Sequence, residues 1–166
     1  MRVAVIADTH IGQRLQDFPS LFLKLLDNPD VVIHSGDFTN VYALETMAAL
    51  ADTFYGVYGN MDSPAVKDML PRELRFELNS VSFGLIHGWG AGWDLHNRVY
   101  DHFKSDRPRI IIFGHSHIPF RQNFGTTLLL NPGSVSGNLF SDKGSFLLME
   151  LSEDGEFEIV KREFEI

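Results

Sequence analysis

The chain has 166 residues, of which 44% are apolar and 22% are charged, with no cysteine and a formal net charge of −8. This length and composition are typical of one folded domain with its own core, so we predict a single domain over residues 1–166 and exclude a largely disordered chain. The lack of cysteine excludes disulfides, thiol nucleophiles and thiolate metal sites. The acidic balance argues against a partner such as duplex nucleic acid or an anionic membrane surface.

The start of the chain carries no pattern typical of a targeting segment. The apolar run Val3–Ala7 stops at Asp8, which is too short for a signal peptide. No stretch approaches the roughly 20 apolar residues of a membrane-spanning helix. We therefore expect a cytoplasmic protein without a membrane partner.

In the first half of the chain, predicted strands alternate with predicted helices. The strands are the apolar runs Val3–Ala7, Val31–Ile33 and Phe54–Tyr58, and the helices are Leu21–Leu26, a segment from Thr39 or Asn40 to about Ala51, and a short one opened by Ser63-Pro64. This alternation is typical of right-handed parallel crossovers.

The second half favours hairpins. Its predicted elements are a hairpin of Leu74–Leu78 and Ser82–His87, a helix over Leu95–Lys104, a buried strand Ile110–Phe113, and strands at Thr126–Leu130, Ser145–Leu151 and Phe157–Glu163. Asp154-Gly155 predicts the turn between the last two strands. The sequence thus predicts one α/β domain, parallel in its first half and mostly antiparallel in its second.

Metal-capable side chains follow the predicted strands at the points where the strands end. They are nitrogen and oxygen donors that suit a divalent transition metal: Asp8, His10, Asp37, Asn60, His87, His115 and His117. In open α/β sheets, ligands bind outside the carboxyl ends of the strands. Seven donors are too many for one ion, whereas one shared carboxylate gives each of two ions four protein ligands, and two such ions can clamp a phosphoryl group.

Each of these residues also has an interpretation without a metal. A lone Asp at a strand end commonly caps a turn or helix, and we assign Asp62 to such a cap. A lone His is more often hydrogen-bonded or exposed, which is our interpretation of His34, His96 and His102. His115-Ser116-His117 differs because it directly follows a buried strand and a glycine. Five such strand ends in one chain make coincidence a poor explanation.

The ordered set of motifs resembles the calcineurin-like metallophosphoesterase superfamily. The motifs are Asp8-x-His10, Gly36-Asp37, Gly59-Asn60-x-Asp62, His87 and Gly114-His115-x-His117, with Asn131-Pro132-Gly133-Ser134 resembling a later loop of the small single-domain bacterial and archaeal phosphodiesterase branch. The resemblance spans residues 3 to about 150. It implies an α/β fold in which two mixed β-sheets pack as a sandwich flanked by helices.

The resemblance also implies a dinuclear site and a reaction. Asp8, His10, Asp37 and His117 would hold one ion, and Asp37, Asn60, His87 and His115 the other, with Asp37 bridging. Manganese is the expected ion, while iron, zinc and nickel also suit a shell without thiolate. A hydroxide that bridges the ions would attack a phosphoester, with His10, Asp37 and Asn60 as catalytic residues. His10 is also a candidate general acid.

Two departures from the family pattern bear on the substrate. Many members have His after the motif Asn, whereas this chain has Met61, which disfavours efficient monoester hydrolysis. Relatives often have His-Gly-His where this chain has His87-Gly88-Trp89. We expect Trp89 to form a wall of the substrate pocket and Trp93 to anchor its loop in the core. Arg14 and Asn131 are candidate phosphate contacts, and the expected partner is a small phosphoester of a nucleotide-like kind.

Two other functions compete with that of a phosphoesterase. A retromer subunit with this fold has a degraded metal site, so a scaffold or interaction protein is the alternative to an enzyme, although all seven ligand positions match here. A dinucleotide-binding domain is disfavoured because no Gly-x-Gly-x-x-Gly follows the first strand. The acidic segment from Glu153 to Glu165 is a candidate surface for self-association into a homo-oligomer.

Overall fold

The structure, a computed structural model, describes residues 1–166. It contains ten strands and four α-helices, which are in chain order β1 (Arg2–Ile6), α1 (Ser20–Leu26), β2 (Val31–His34), α2 (Val41–Ala48), β3 (Thr53–Gly56), α3 (Pro64–Met69), β4 (Glu73–Leu78), β5 (Val81–Ile86), α4 (Leu95–His102), β6 (Ile110–Ile112), β7 (Phe120–Phe124), β8 (Thr127–Asn131), β9 (Lys143–Leu151) and β10 (Phe157–Glu165).

The strands form two five-stranded mixed sheets. The first has the order β10-β9-β1-β2-β3 and the second the order β4-β5-β6-β8-β7. In the first sheet β1, β2 and β3 are parallel, and in the second β5, β6 and β8 are parallel. The predicted α/β sandwich of two mixed sheets flanked by helices is confirmed.

Three apolar clusters divide the molecule into four layers. Alternate residues of β1 point to different clusters: Val3 and Val5 pack between the sheets, while Ala4 and Ile6 pack beneath the first three helices. A third cluster joins α4 to the outer face of the second sheet. Strands covered on both faces explain the continuous apolar runs in the sequence.

The pairing of the second half is more mixed than we predicted. The hairpin of β9 and β10 joins the first sheet, where β9 pairs antiparallel with β1. The strand β7 was not predicted, because only Phe120 and Phe124 at its ends are partly buried and the three residues between them are exposed. The turn between β7 and β8 carries Gly125 at a φ of +61°, which was the available sequence signal.

The helices begin where the sequence predicts. Asn40 caps α2, since its side chain accepts a hydrogen bond from the backbone N–H of Ala43. Ser63 caps α3 in the same way, with Pro64 in the first helical position. No helix of the structure is long and apolar enough to cross a membrane.

Candidate metal centre

Loops from both sheets meet at one edge of the sandwich. The loops after β1, β2 and β3 carry Asp8, His10, Asp37 and Asn60, and those after β5 and β6 carry His87, His115 and His117. The parallel direction of these strands within each sheet brings their carboxyl ends together, as the sequence argument required. All seven predicted ligand residues therefore lie in one cluster, which forms two groups of donor atoms.

The first group contains Asp8, His10 and His117. The Nε2 atoms of His10 and His117 are 3.1 Å apart. Oδ1 of Asp8 lies 3.4 Å from Nε2 of His117 and 3.9 Å from Nε2 of His10. Donors that share an ion at about 2.1 Å lie roughly 3.0–3.5 Å apart at octahedral or tetrahedral angles, so most of these spacings suit a common ion.

The second group contains Asp37, Asn60, His87 and His115. Oδ1 of Asn60 lies 3.0 Å from Nε2 of His87 and 3.0 Å from Nδ1 of His115. Oδ2 of Asp37 lies 3.3 Å from Nε2 of His87 and 3.6 Å from Nε2 of His10. Asp37 therefore faces both groups through one oxygen, while Asp8 also lies close to the second group.

Each of the two carboxylates is fixed by the backbone through one oxygen and turns the other into the cluster. Oδ2 of Asp8 accepts a hydrogen bond from the N–H of His115 at 3.1 Å. Oδ1 of Asp37 accepts one from the N–H of Met61 at 2.7 Å. Oδ1 of Asp8 is buried without any hydrogen-bond partner. A buried carboxylate oxygen without a partner is costly, and a cation among these donors would stabilise it.

The histidine rings are oriented by backbone carbonyl groups. Nδ1 of His87 lies 2.7 Å from the carbonyl oxygen of Ser35, and Nε2 of His115 lies 2.8 Å from that of Gly90. Nδ1 of His117 lies 3.1 Å from the carbonyl oxygen of Gly137. Nδ1 of His117 also faces the guanidinium of Arg14, whereas in His87 and His115 the ring nitrogen that faces a carbonyl carries the proton, which leaves the other nitrogen of each ring free to bind a metal. These are the nitrogens that face the cluster.

The carboxylates make the cluster attractive to positive charge. Burial lowers the pKa of His87, but its hydrogen bond to Asp37 and the charges of Asp8 and Asp37 outweigh burial and raise it to about 9. Burial raises the pKa of Asp37, yet the hydrogen bond with His87 reverses this, so that its pKa lies below the usual value. The field that favours a protonated His87 would equally favour a divalent ion.

Asp62 has a different role from the helix cap that we predicted. Its buried carboxylate accepts hydrogen bonds from the N–H groups of Asp37 at 3.0 Å, Thr39 at 2.6 Å and Gly59 at 2.7 Å. The cap of α3 is Ser63 instead. Asp62 thus joins the loop after β2 to the loop after β3. Its place in the motif was visible in the sequence, but its three backbone partners were not.

Glycine is required at the crossing of these two loops. A Cβ on Gly59 would stand 2.1 Å from Oδ1 of Asp37, and a Cβ on Gly36 would stand 2.7 Å from the backbone nitrogen of Gly59. No side chain fits at either position without moving the Asp37 loop. The glycines of both motifs therefore allow the close approach of the ligand-bearing loops.

Two predicted phosphate contacts occupy different places. Arg14 is exposed at the rim, with a guanidinium nitrogen 2.6 Å from Nδ1 of His117 and 3.4 Å from the carbonyl oxygen of Gly137. Asn131 is fully buried: its amide donates to the carbonyl of Gly114 and to Ser116, and its oxygen accepts from the N–H of Gly133. This arrangement gives Asn131 a role in holding the histidine loop and leaves it no polar group for substrate.

Both tryptophans reach the surface, but only Trp89 is seen to line a cleft with residues of the cluster. Trp89 is 36% exposed and lines a cleft that also includes Asn60 and His87. Trp93 is 83% exposed, so its expected place in the core is wrong. The reason is that Trp93 lies in a 3₁₀ turn over Gly92–Asp94, and the neighbouring Leu95 supplies the buried anchor instead.

The three remaining histidines lie outside the cluster. His34 is buried, stacks on Phe38 with ring centroids 3.7 Å apart, and accepts a hydrogen bond from the N–H of Gly36. His96 stacks on Phe120, and His102 pairs with Glu73. None faces the donor atoms described above, in agreement with our assignment of these residues to other roles.

Comparisons with known proteins identify the family. The calcineurin-like phosphoesterase superfamily domain matches residues 1–154, so the chain belongs to this superfamily. A probable metallophosphoesterase of Methanocaldococcus jannaschii is 36% identical over 137 residues, which are 81% of this chain and 68% of that protein. A phosphodiesterase of the same organism is 24% identical over 156 residues, or 84% of this chain and 87% of that protein.

A solved structure of the same fold is that of Vps29 from Entamoeba histolytica in complex with Zn²⁺. It superposes with a TM-score of 0.77 at 24% identity and covers 98% of this chain and 99% of that chain. The protein described here is thus a metallophosphoesterase-family member, and the donor atoms at its strand ends fit the metal dependence of that family.

Proposed function

We propose that this protein is a metal-dependent phosphodiesterase that uses two divalent ions. Manganese is the metal that we expect. Asp8, His10, Asp37 and His117 would hold one ion and Asp37, Asn60, His87 and His115 the other. The observation that carries the proposal is the convergence of seven donor side chains with free lone pairs, centred on Oδ2 of Asp37 between His10 and His87. The donors include no thiolate, which suits manganese, iron, zinc or nickel.

The protein's own groups would bind and orient a small phosphoester. When bound, the ions would activate water and stabilise the charge that develops on the phosphoryl group. Oδ1 of Asn60 faces His87 and His115, so its exposed amide nitrogen is free to donate to a phosphoryl oxygen. Arg14 lies at the opposite side of the cluster beside His117 and can bind a second phosphoryl oxygen.

His10 fits the role of a ligand better than that of a general acid. It is buried, its Nε2 faces Asp8, Asp37 and His117, and its Nδ1 has no hydrogen-bond partner. Burial lowers its pKa despite the charges of Asp8 and Asp37. With Nε2 directed to a metal, the remaining N–H points away from the cluster, so protonation of a leaving group by His10 is not part of this proposal.

Met61 favours diesters over monoesters. It contributes its backbone N–H to Asp37, while its side chain is 46% exposed and carries no donor. A monoester dianion requires more donors around the phosphoryl group than a diester, and a poor leaving group requires an acid that would be worth about 10²–10⁴-fold. Diesters with activated aryl leaving groups are therefore the expected substrates.

The test combines metal analysis with a pair of substrates. Protein purified without chelators should contain close to two ions per chain and hydrolyse bis-p-nitrophenyl phosphate with a higher kcat/KM than p-nitrophenyl phosphate. Asp37→Asn should lose metal and activity together, whereas the matched control His96→Gln should lose neither. An Asp37→Asn protein that keeps two ions and its activity would contradict the bridging assignment, and a preference for the monoester would contradict the argument from Met61.

A scaffold or interaction function is the second candidate, because the fold resembles that of Vps29. It predicts a folded protein that binds metal but does not turn over any phosphoester. The complete ligand set favours the enzyme. Absence of hydrolysis across diesters and monoesters in the metal-loaded protein would favour the scaffold.

A further inference from the structure

A cleft of about 250 Å³ adjoins the metal centre on the side of Asn60 and His87. Its other walls include Lys67, Arg72, Gly88 and Trp89. The cleft thus joins two donors of the metal centre to a pair of basic side chains and an exposed indole. Nothing in the assignment of the metal ligands requires Lys67 or Arg72.

Both basic side chains are available to an anion. Nζ of Lys67 donates to the carbonyl oxygen of Asn60 at 3.2 Å, which places the ammonium group beside the metal centre. The ion pairs of the protein use other basic residues, and none includes Lys67 or Arg72. In a chain with a net charge of −8, two cations without a carboxylate partner in one cleft make a local positive field.

Trp89 is held in place for a stacking contact. Its carbonyl oxygen accepts hydrogen bonds from Nε of Arg98 at 3.2 Å and from a terminal nitrogen of the same guanidinium at 2.8 Å. The guanidinium carbon of Arg72 lies 5.9 Å from the centroid of the indole ring, and the ring of His102 meets the indole edge-on with the ring centroids 5.5 Å apart. A fixed and partly exposed indole offers a flat surface to an aromatic group, as in proteins that stack nucleobases.

We propose that this cleft binds the distal part of the substrate, and that the substrate is a nucleoside phosphodiester with a second, terminal phosphate. The scissile phosphate would lie at the metal centre, the base against Trp89, and the terminal phosphate between Lys67 and Arg72. The planar guanidinium and the ammonium group together match a phosphate dianion. The inference rests on the proposed phosphodiesterase function, because the cleft opens onto that site.

The direct test compares two synthetic substrates that differ in one phosphate. These are thymidine 5′-(p-nitrophenyl phosphate) and the same compound with a 3′-phosphate. We expect kcat/KM to be about tenfold higher with the 3′-phosphate, which is the effect of one charge-assisted hydrogen bond. Arg72→Gln and Lys67→Gln should each reduce this ratio, and the double variant should bring it close to one.

Arg109→Gln is the matched control. Arg109 is also an exposed arginine over an aromatic ring, that of Phe157, but it precedes β6 and so lies at the end of the strand opposite the histidine loop. The ratio should be unchanged in this variant. An equal ratio in the wild type and in the double variant would overturn the proposal even if both compounds are hydrolysed.

Binding provides a readout that does not depend on turnover. Trp89 and Trp93 are the two tryptophans of the chain, so Trp93→Phe leaves Trp89 as the fluorescent reporter. Thymidine 3′,5′-bisphosphate should quench its emission with a Kd about tenfold lower than that of thymidine 5′-monophosphate, and the double variant of Lys67→Gln and Arg72→Gln should remove the difference. This difference in Kd without any hydrolysis would support the cleft and contradict the phosphodiesterase, while hydrolysis without the difference would contradict the cleft alone.

Discussion

Five of the seven donor residues have backbone conformations that residues other than glycine rarely adopt. Asp8, His10, Asp37, His115 and His117 have φ values of +53°, +47°, +61°, +70° and +59°. Residues with a Cβ in the left-handed region cost roughly 1–2 kcal/mol each. The surrounding hydrogen bonds, such as that from the N–H of His115 to Asp8, hold these conformations. The backbone conformations that direct the donor side chains inward therefore lower the stability of the protein.

This strain leads to an unusual response to glycine. In chelator-treated protein, His115→Gly should be more stable than His115→Ala by about 1 kcal/mol, because glycine adopts a positive φ without strain. His87 is the matched control, since its φ is not positive. There, His87→Gly should be less stable than His87→Ala by roughly 0.5–1 kcal/mol. Denaturant unfolding of the four variants measures these differences in stability. If the difference between the glycine and the alanine variant has the same sign at both positions, no strain is stored at His115.

The residue types of the site were predictable, whereas their conformations were not. Asp8, His115 and the other donors could be recognised because each follows an apolar strand, and parallel strands bring their ends together. The positive φ values have no sequence signal, because the residues that adopt them are aspartates and histidines rather than glycines. The residue types and their spacing therefore predicted the ligand set. The energetic cost of the positive φ values could be recognised only from the structure.

At the scale of elements, the centre depends on how loops from different strands are joined. The loop after β2 is fixed to the loop after β3 by the hydrogen bonds that Asp62 accepts from the N–H groups of Asp37 and Thr39. The loop after β1 is fixed to α2 because the Asn40 amide donates to the carbonyl oxygen of Ile11 at 2.7 Å. Both links join residues more than 20 positions apart, which explains why sequence patterns indicated only their local role as caps.

Asp62→Ala should weaken metal binding although Asp62 is not a ligand. Removal of the carboxylate leaves three backbone N–H groups without their acceptor, which lowers stability by about 1–3 kcal/mol for each group that stays unpaired and frees the loop that carries Asp37. We expect metal affinity to fall at least tenfold, with Asp62→Asn intermediate because its oxygen still accepts. Titration calorimetry with Mn²⁺ on folded protein measures the effect. Unchanged affinity in a destabilised Asp62→Ala protein would show that the carboxylate serves stability alone.

The loop between β6 and β7 supplies one donor to each group. Nδ1 of His115 faces Asn60, while Nε2 of His117 faces Asp8. His115→Ala and His117→Ala should therefore each reduce the content to about one ion per chain, from different halves of the centre. Metal analysis after gel filtration measures this. Retention of two tightly bound ions in both single variants would contradict the division of the loop between two ions.

At the scale of the whole molecule, the fold places the centre where two sheets and a helical layer meet. The continuous apolar run Val3–Ala7 predicted that β1 is covered on both faces, and the structure confirms this, since Val3 and Val5 pack on one side and Ala4 and Ile6 on the other. The assignment of β9 and β10 to the first sheet was not predictable from local pattern. The pairing of β9 with β1 joins residues separated by nearly the whole chain, such as Arg2 and Glu150.

The interior beside the centre contains a fully buried histidine, His34, whose titration should affect global stability. His34 is fully buried at the end of β2, and burial, with a smaller effect from the neighbouring positive charge of His87, lowers its pKa well below the usual value. Asp37 acts in the opposite direction, and His10 adds to the lowering. Nδ1 of His34 accepts from Gly36, and Nε2 has no partner. The native protein therefore keeps His34 neutral where the unfolded chain would protonate it.

The stability of the protein should accordingly decrease as the pH is lowered, because of the titration of His34. The unfolded chain protonates His34 near pH 6.5, so below that value it binds one proton more than the native state does. The free energy of unfolding contributed by His34 is fully present above pH 6.5 and should be smaller by up to about 1.4 kcal/mol at pH 5.5. The measurement is urea unfolding of chelator-treated protein at pH 8 and pH 5.5, for the wild type and for His34→Asn, whose amide oxygen can still accept from Gly36. The pH dependence should be smaller in His34→Asn by this amount and unchanged in His96→Gln. Equal pH dependence in the wild type and His34→Asn would mean that His34 is protonated to the same extent in the native and unfolded states.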